Sequence, residues 1–186
     1  QLDRVPMKRR VPGDGEVEIA VEATALNFKD VLNVLGMYPG DPGPLGGECA
    51  GRACAVGRGV THVHVGDPVM AVAGGSFASH VIARAELVQV RPAGVGAEEG
   101  AAFSIAYLTA AFCLEHLAVL RAGQRVLIHA AAGGVGLAAV LLAQVALAAA
   151  FAAGVGIARY YVYVTWATVQ ALWHYLRRGV PATWEA

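Results

Sequence analysis

Residues 126–144 constrain the possible folds more than any other stretch, because they join a short apolar run, a turn of small residues and an apolar helix. Residues 126–128 predict a short buried parallel strand, 130–136 a turn, and 137–144 the first turns of a helix. Glycines let a backbone approach a pyrophosphate closely, and a helix N-terminus directs free N–H groups at it. A strand, a glycine turn and a helix in this order are typical of a phosphate-binding site.

The glycines of this turn are Gly133, Gly134 and Gly136, which is less than the full Gly-x-Gly-x-x-Gly fingerprint of dinucleotide sites. A glycine turn by itself also fits a tight connection between a strand and a helix that holds no ligand. The rest of the sequence has to decide between these two interpretations.

A series of short strands is predicted before the turn. Residues 16–22 alternate charged and apolar side chains, which is typical of a half-buried strand. A short helix or turn over 25–35 and a loop over 37–44 follow, and residues 97–120 have a helical pattern. The other predicted strands lie at 49–56, 60–65, 69–72, 77–82 and 87–90. Short strands at this spacing predict a small β-barrel or sandwich.

Composition limits the classes of partner. Lys and Arg number 14, Asp and Glu also number 14, and the basic residues are scattered, so no electrostatic footprint for nucleic acid is present. The three cysteines, Cys49, Cys54 and Cys113, stand at irregular spacing, which argues against a disulfide framework and suits a reducing cytoplasm. Charged residues precede any apolar run, so we expect no signal peptide at the start of this sequence.

Four sequence blocks resemble one enzyme family. They are LNFKDVL at 26–32 with GMYPG at 36–40, LGGECAG at 45–51, YLTAA at 107–111, and HAAAGGVG at 129–136. In this order they are similar to the enoyl reductase domains of modular polyketide synthases, which belong to the zinc-free branch of the medium-chain dehydrogenase/reductase superfamily. The resemblance covers roughly residues 15–144.

The resemblance implies an α/β fold. A β-rich GroES-like barrel, the substrate domain at 1–95, is followed by the start of a doubly wound nucleotide-binding domain at 96–144 and an apolar helical tail at 145–186. The implied reaction is the NADPH-dependent reduction of the α,β-double bond of an enoyl thioester. The substrate would be carried by an acyl carrier protein, with other synthase domains as partners, in the cytoplasm. A quinone-oxidoreductase-like NADPH reductase is the alternative within the same fold.

The resemblance also implies roles for individual residues. Asn27 and Asp30 lie at the floor of the substrate pocket, where Asn27 offers an amide donor and Asp30 fixes the loop; a helix cap accounts for Asp30 equally well. Tyr38 matches the position tied to protonation or methyl stereochemistry at the α-carbon, although it also fits a loop tyrosine packed on Pro39. Thr109 is implied to hold the nicotinamide amide. The implied cofactor-binding turn consists of Ala132, Gly133, Gly134, Val135 and Gly136.

Zinc-dependent members of the superfamily place a Cys and a His where this chain has Asn27 and Gly47. A catalytic zinc needs three protein ligands of Cys, His or carboxylate type, so two candidate ligands are lost. His62 and His64 alternate on a predicted strand and would share a face, but two ligands do not complete a site. The sequence therefore predicts no metal.

The implied nucleotide domain lacks charged residues that the family uses. The chain has no Lys after Lys29, no Asp after Asp67 and no acidic residue between Glu115 and Glu185. An NAD site is expected to have an acidic residue about 20 residues beyond the glycines. The nearest charge to that position is Arg159, which could meet the 2′-phosphate of NADP. These losses favour a partial or inactive copy of the enzyme.

Residues 145–186 do not continue the family pattern. From Val126 to Ala158 the only ionisable side chain is His129, and a span of about 20 apolar residues is long enough to cross a membrane. The uncharged aromatic run at 160–173 resembles an interfacial belt. A buried helix of a soluble core is an equally good interpretation, and 171–184 is faintly similar to the C-terminal end of membrane glycosyltransferases. A non-catalytic fragment with a membrane-associated tail, over 145–176, is therefore the second class of function.

Overall fold

The computed structural model describes residues 3, 5–121 and 124–152. The chain divides into two compact units, and the division falls after Leu108. The first unit contains a β-sheet, and the second contains the glycine turn.

The first unit is built on one five-stranded antiparallel sheet with the spatial order β4-β1-β2-β3-β5. Helix α1 (Phe28–Val34) lies between β1 and β2 in the chain, and a three-residue helical turn (Ala85–Leu87) lies between β4 and β5. The five strands are β1 (Glu16–Thr24), β2 (Glu48–Val56), β3 (Pro68–Val72), β4 (His80–Arg84) and β5 (Val88–Val90). The β-rich part that the resemblance implied is present as a five-stranded sheet with helices.

Small and β-branched side chains form the core of the first unit. Successive side chains of a strand point to opposite faces, and the alternation in β1 places Val17 and Ile19 inside at 0% exposure. Strand β1 pairs with β2 through two register shifts, and a Cβ at Gly51 would lie 2.0 Å from the carbonyl oxygen of Ala20. The two strands can approach this closely only because position 51 has no side chain.

The strand predicted at 60–65 is wrong. This segment forms turns and irregular backbone, although Val63 is buried. Both edges of β2, the strand that precedes it, are occupied by β1 and β3, so the segment cannot extend the ladder there. It is held by side chains instead, since His62 Nε2 lies 3.0 Å from the carbonyl oxygen of Ala85. The strand predicted at 77–82 forms as β4, which begins three residues later and ends two residues later than predicted.

Helix α2 (Ala97–Ala111) crosses the division between the units and continues as a π-helical turn over Phe112–Leu117. The helical pattern predicted for 97–120 therefore forms a helix over most of its length. By length and composition the continuous helix Ala97–Leu117 could cross a membrane, but core helices of soluble proteins pass the same test. It is not the segment in which the sequence predicted a membrane span.

The second unit contains the glycine turn and helix α3 (Gly134–Ala152). The buried strand predicted at 126–128 is wrong, because residues 124–128 form no ladder and the Leu127 side chain is 81% exposed. A parallel strand is stabilised by hydrogen bonds to its neighbours, and in the described residues all the strands belong to the sheet of the first unit. The helix predicted from residue 137 begins three residues earlier.

The part of the predicted apolar tail that the structure describes, residues 145–152, is helical and belongs to α3. The rest of this tail lies outside the described residues, including most of the predicted membrane segment. Arg159 and the glycosyltransferase-like stretch at 171–184 also lie there.

Candidate functional site

Asn27 and Asp30 meet at the start of helix α1. Asn27 directly precedes the helix and has extended backbone, with φ −100° and ψ 155°. Its N–H donates to Asp30 Oδ2 at 2.9 Å, which is the carboxylate half of a capping box. A carboxylate in the first turn is also favoured by the helix dipole. Asp30 therefore does cap the helix.

Asp30 also holds the loop that precedes β2. The side chain is 4% exposed, and its Oδ1 accepts the N–H of Gly46 at 2.8 Å. Gly46 has a φ of +90°, and a Cβ there would lie 2.5 Å from Ser76 Oγ. Both the backbone conformation and the close contact require glycine at this position. One carboxylate thus joins the start of α1 to the loop before β2.

The side-chain amide of Asn27 is bound by Glu48, the first residue of β2. Asn27 Nδ2 donates to Glu48 Oε1 at 3.1 Å, and the backbone N–H of Ile105 in α2 donates to Oε2 at 2.6 Å. Glu48 is 2% exposed, and an acidic side chain is rarely buried this far unless its oxygens are satisfied. Sequence reasoning missed Glu48. The available signal was an acidic residue at the start of a strand that is otherwise largely apolar.

The backbone of Glu48 is fixed as well. The hydroxyls of Thr24 and Ser76 both donate to its carbonyl oxygen, at 2.8 and 3.0 Å. Next to it, burial and then the charge of Glu48 raise the pKa of the Cys49 thiol to about 11. This thiol therefore stays protonated near neutral pH and is not a nucleophile.

Gly47 lies beside Asn27, and Ile105 packs closely against it. A Cβ at position 47 would lie 3.7 Å from Asn27 Nδ2 and 3.0 Å from the Cδ1 methyl of Ile105. The two positions that hold zinc ligands in zinc-dependent relatives are thus adjacent, and here they carry an amide and a hydrogen atom. Among the residues that the structure describes, no group of three or more His, Cys, Asp or Glu side chains is placed to hold a metal ion. His62 and His64 do not share the face of a strand, because their segment is irregular.

Tyr38 lies in the loop after α1 and is half-buried. The ammonium group of Lys29 stands 5.5 Å from the centroid of its ring, within range of a cation–π interaction. Within the described ranges no hydrogen bond joins Tyr38 to Asn27 or Asp30. The three predicted catalytic residues are therefore all connected to α1, with Asn27 and Asp30 in direct contact and Tyr38 linked through Lys29.

The predicted cofactor turn lies at the start of helix α3 in the second unit. Gly133 N donates to the carbonyl oxygen of Ala130 at 2.9 Å, and Leu137 N donates to that of Gly133 at 2.8 Å. The N–H groups of residues 134–136 have no acceptor in the described part of the chain. The helix therefore begins with three unused donors, as the first turn of a helix does unless a cap or ligand satisfies it.

The glycines of the turn differ in their surroundings. A Cβ at Gly136 would lie 2.2 Å from the carbonyl oxygen of Ala130, so the packing of the helix on the turn requires glycine there. A Cβ at Gly134 would meet nothing within 4 Å among the described residues. A tight turn with open space and unused N–H groups fits a bound diphosphate. Thr109 and Ala132 are exposed in the same unit.

Comparison with known proteins decides the family. Residues 13–116, more than half of the chain, match the family model of the alcohol dehydrogenase GroES-like domain. The chain belongs to this family. It is 49% identical over 132 residues to the pikromycin polyketide synthase component PikAII of Streptomyces venezuelae, and this alignment covers 71% of the chain and 4% of the synthase.

Two solved structures are similar over most of the chain. The crystal structure of CurK enoyl reductase has a TM-score of 0.72 and 42% identity, over 76% of this chain and 46% of that one. The quinone oxidoreductase of Escherichia coli, solved in complex with NADPH, has a TM-score of 0.68 and 33% identity, over 76% of this chain and 44% of that one. The chain therefore spans less than half the length of these enzymes and a few per cent of the synthase.

These comparisons confirm the resemblance to polyketide synthase enoyl reductases of the medium-chain dehydrogenase/reductase superfamily. A nicotinamide cofactor is consistent with the family, since the similar quinone oxidoreductase was solved with NADPH. The similarity of the tail to glycosyltransferases finds no support in the comparisons.

Proposed function

We propose that this chain is part of an NADPH-dependent enoyl-thioester reductase of a polyketide synthase. The open N-terminus of α3 carries the proposal, because three unused N–H groups at 134–136 adjoin open space at Gly134. The 49% sequence identity to a polyketide synthase component and the structural similarity to an enoyl reductase support the class of reaction.

The diphosphate of NADPH would be held at the N-terminus of α3. Anions are favoured there because the free N–H groups and the helix dipole both present positive charge. When bound, NADPH supplies the hydride that reduces the β-carbon of the substrate. In this proposal Thr109 holds the nicotinamide amide. The residues that hold the diphosphate of NADPH are Ala132, Gly133, Gly134, Val135 and Gly136.

Asn27, Asp30 and Tyr38 act on the substrate in this proposal. Asn27 donates a side-chain N–H to the thioester oxygen, where negative charge develops as the β-carbon gains a hydride. Asp30 keeps the helix start and the following loop in place through its bonds to Asn27 N and Gly46 N. Tyr38 Oη donates the proton that the α-carbon takes up. Two new C–H bonds then replace the π bond of the substrate.

The partners follow from the relatives, which are parts of polyketide synthases. We place the enoyl group on an acyl carrier protein, in contact with other synthase domains in the cytoplasm. The domain division also stays a proposal, with substrate recognition in 1–95 and cofactor binding beginning in 96–144. The proposal includes no metal and no nucleic acid.

A quinone-oxidoreductase-like reductase is the second candidate function. It is favoured by the similarity to the quinone oxidoreductase that was solved with NADPH. The two candidates share the cofactor and differ in the acceptor. Oxidation of NADPH by an enoyl thioester, compared with oxidation by a quinone, therefore separates them.

The first test is a fluorescence titration of the full chain with NADPH, followed by an enoyl-thioester assay. Gly134→Leu places a side chain in the open space at the start of α3, and we expect it to weaken NADPH binding by at least about tenfold. Gly74→Leu is the matched control, because a Cβ there also meets nothing within 4 Å in the described structure. A folded chain that shows no saturable NADPH binding, or equal weakening by both substitutions, would contradict the proposal.

A further inference from the structure

We propose that Glu48 is a positioning residue that determines which end of the Asn27 side-chain amide is free for the substrate. The inference deepens the proposed function, and its kinetic part rests on that function. It starts from a buried carboxylate that the proposed reaction does not otherwise use.

The chemistry of the pair selects one orientation of the amide. An ionised carboxylate only accepts hydrogen bonds, whereas the amide of Asn27 has a donating nitrogen at one end and an accepting oxygen at the other. Glu48 Oε1 therefore binds the nitrogen end, as the distance of 3.1 Å from Asn27 Nδ2 shows. The second hydrogen of the same nitrogen then remains for a substrate oxygen. In a reversed amide, the oxygen of Asn27, which cannot donate, would face Glu48 Oε1.

Glu48 is itself held on several sides. The backbone N–H of Ile105 donates to its Oε2 at 2.6 Å, and the hydroxyls of Thr24 and Ser76 hold its carbonyl oxygen. With 2% of the residue exposed, water competes little for these bonds. A backbone N–H can only donate, so the hydrogen bond from Ile105 requires an accepting oxygen at Glu48 Oε2. The carboxylate is therefore locked in the position from which it binds Asn27.

Position 47 carries no side chain that could cover the amide. A Cβ there would lie 3.7 Å from Asn27 Nδ2 and 3.0 Å from the Cδ1 methyl of Ile105, so glycine keeps residue 47 off the nitrogen while Ile105 packs close by. Asn27 is half-buried, which leaves part of the residue open to a ligand.

Glu48→Gln separates positioning from folding. In the variant, the oxygen of the new amide can accept the Ile105 N–H, and its nitrogen then faces Asn27. That nitrogen binds the oxygen of Asn27, which requires the Asn27 amide to reverse. Both hydrogen bonds survive, so we expect the thermal midpoint to fall by less than about 4 °C.

The decisive measurement follows the Asn27 side-chain amide by ¹⁵N–¹H NMR in the full chain. Its two resonances are assigned by their loss in Asn27→Ala. In the wild type we expect one hydrogen to be shifted downfield and slow to exchange, because it is bonded to a buried carboxylate. Glu48→Gln should remove both features. Unchanged Asn27 resonances in Glu48→Gln would overturn the inference. Two unshifted, rapidly exchanging hydrogens in the folded wild type would also overturn it, even if Glu48→Gln failed to fold.

A kinetic cycle tests whether Glu48 acts through Asn27. We expect Glu48→Gln to lower kcat for the enoyl thioester by at least about tenfold with unchanged NADPH affinity. The double variant with Asn27→Ala should fall no further than Asn27→Ala alone. Losses that multiply in the double variant would overturn the inference. A wild type that does not reduce the thioester would count against the proposed function alone, since the amide resonances decide the orientation independently.

Discussion

At the scale of single residues, buried carboxylates organise the first unit. Glu18, Asp30 and Glu48 are each at most 5% exposed, and each accepts at least two hydrogen bonds. Burying a charge is unfavourable unless such bonds replace those to water. The arrangement of the donors therefore depends on these carboxylates, and at Glu48 one of the donors is the proposed catalytic Asn27.

The ion pair between Arg10 and Glu16, a more exposed carboxylate, links the stability of the first unit to pH. Arg10 Nη1 and Nη2 donate to the oxygens of Glu16 at 2.5 and 2.8 Å. The bond from Arg10 and then that from Gly13 N lower the pKa of Glu16 from the ordinary 4.5 to about 2. Between these values the unfolded chain binds more protons, so the free energy of unfolding falls as the pH drops from 4.5 to 2. The stabilisation that Glu16 gains from Arg10 and Gly13 is fully present above pH 4.5.

We expect Arg10→Ala to lower the free energy of unfolding at neutral pH and to flatten this acid decline, because the pKa of Glu16 returns toward its ordinary value. Urea unfolding at a series of pH values measures both effects. Lys8→Ala is the control, since it removes an exposed charge that has no ion pair in the described part of the molecule. Equal flattening in the two variants would show that general charge, and not the bond to Glu16, is responsible.

At the scale of elements, helix α3 depends on the turn that precedes it. A Cβ at Gly136 would lie 2.2 Å from the carbonyl oxygen of Ala130, and neither backbone can move away without shifting the helix. We expect Gly136→Ala to destabilise the second unit by about 1–3 kcal/mol, the usual cost of overpacking. Gly134→Ala meets no such contact and should be neutral or stabilising, since Ala favours helix over Gly by about 1 kcal/mol.

Hydrogen exchange of the α3 amides distinguishes the two variants. Faster exchange should appear in Gly136→Ala only, because only that substitution separates the helix from its turn. A similar loss of protection in Gly134→Ala would contradict the open surroundings that the structure gives to Gly134.

At the scale of the whole molecule, the described residues hold a five-stranded antiparallel sheet but no ladder for 124–128. The side chain of Leu127 in this segment is 81% exposed. The chain covers 46% of the length of CurK enoyl reductase. Exposed apolar side chains of this size favour association when they cluster. The second unit therefore presents apolar surface at the position where the sequence pattern predicts a buried strand.

We expect Leu127→Lys to change the free energy of unfolding by less than about 0.5 kcal/mol, as is usual for surface positions, and to raise solubility. Ile19→Ala is the comparison, because Ile19 is 0% exposed and its truncation should cost about 2–5 kcal/mol. Chemical denaturation and the concentration at which the chain precipitates measure the two effects. A loss from Leu127→Lys as large as that from Ile19→Ala would show that Leu127 is buried in solution.

The sequence by itself determined the elements whose signal is local. Alternation predicted β1, glycine and proline positions predicted the loop after α1, and the small residues predicted the turn before α3. The family blocks likewise predicted a GroES-like fold, and within them Asn27 and Asp30 could be identified as candidates. The strand, the loop and the turn depend on neighbours in the chain, so a pattern of a few residues specifies them, whereas the fold and the candidates came from the family resemblance.

Only the tertiary structure decided which segments pair and which donors meet a buried charge. Residues 60–65 have strand-like composition but no free edge of β2 to join, and 126–128 have no neighbouring strand in the described chain. Glu48 receives its hydrogen bonds from residues 21 and 57 positions away. A ladder needs a partner edge and a buried carboxylate needs donors, and neither requirement is visible in local periodicity.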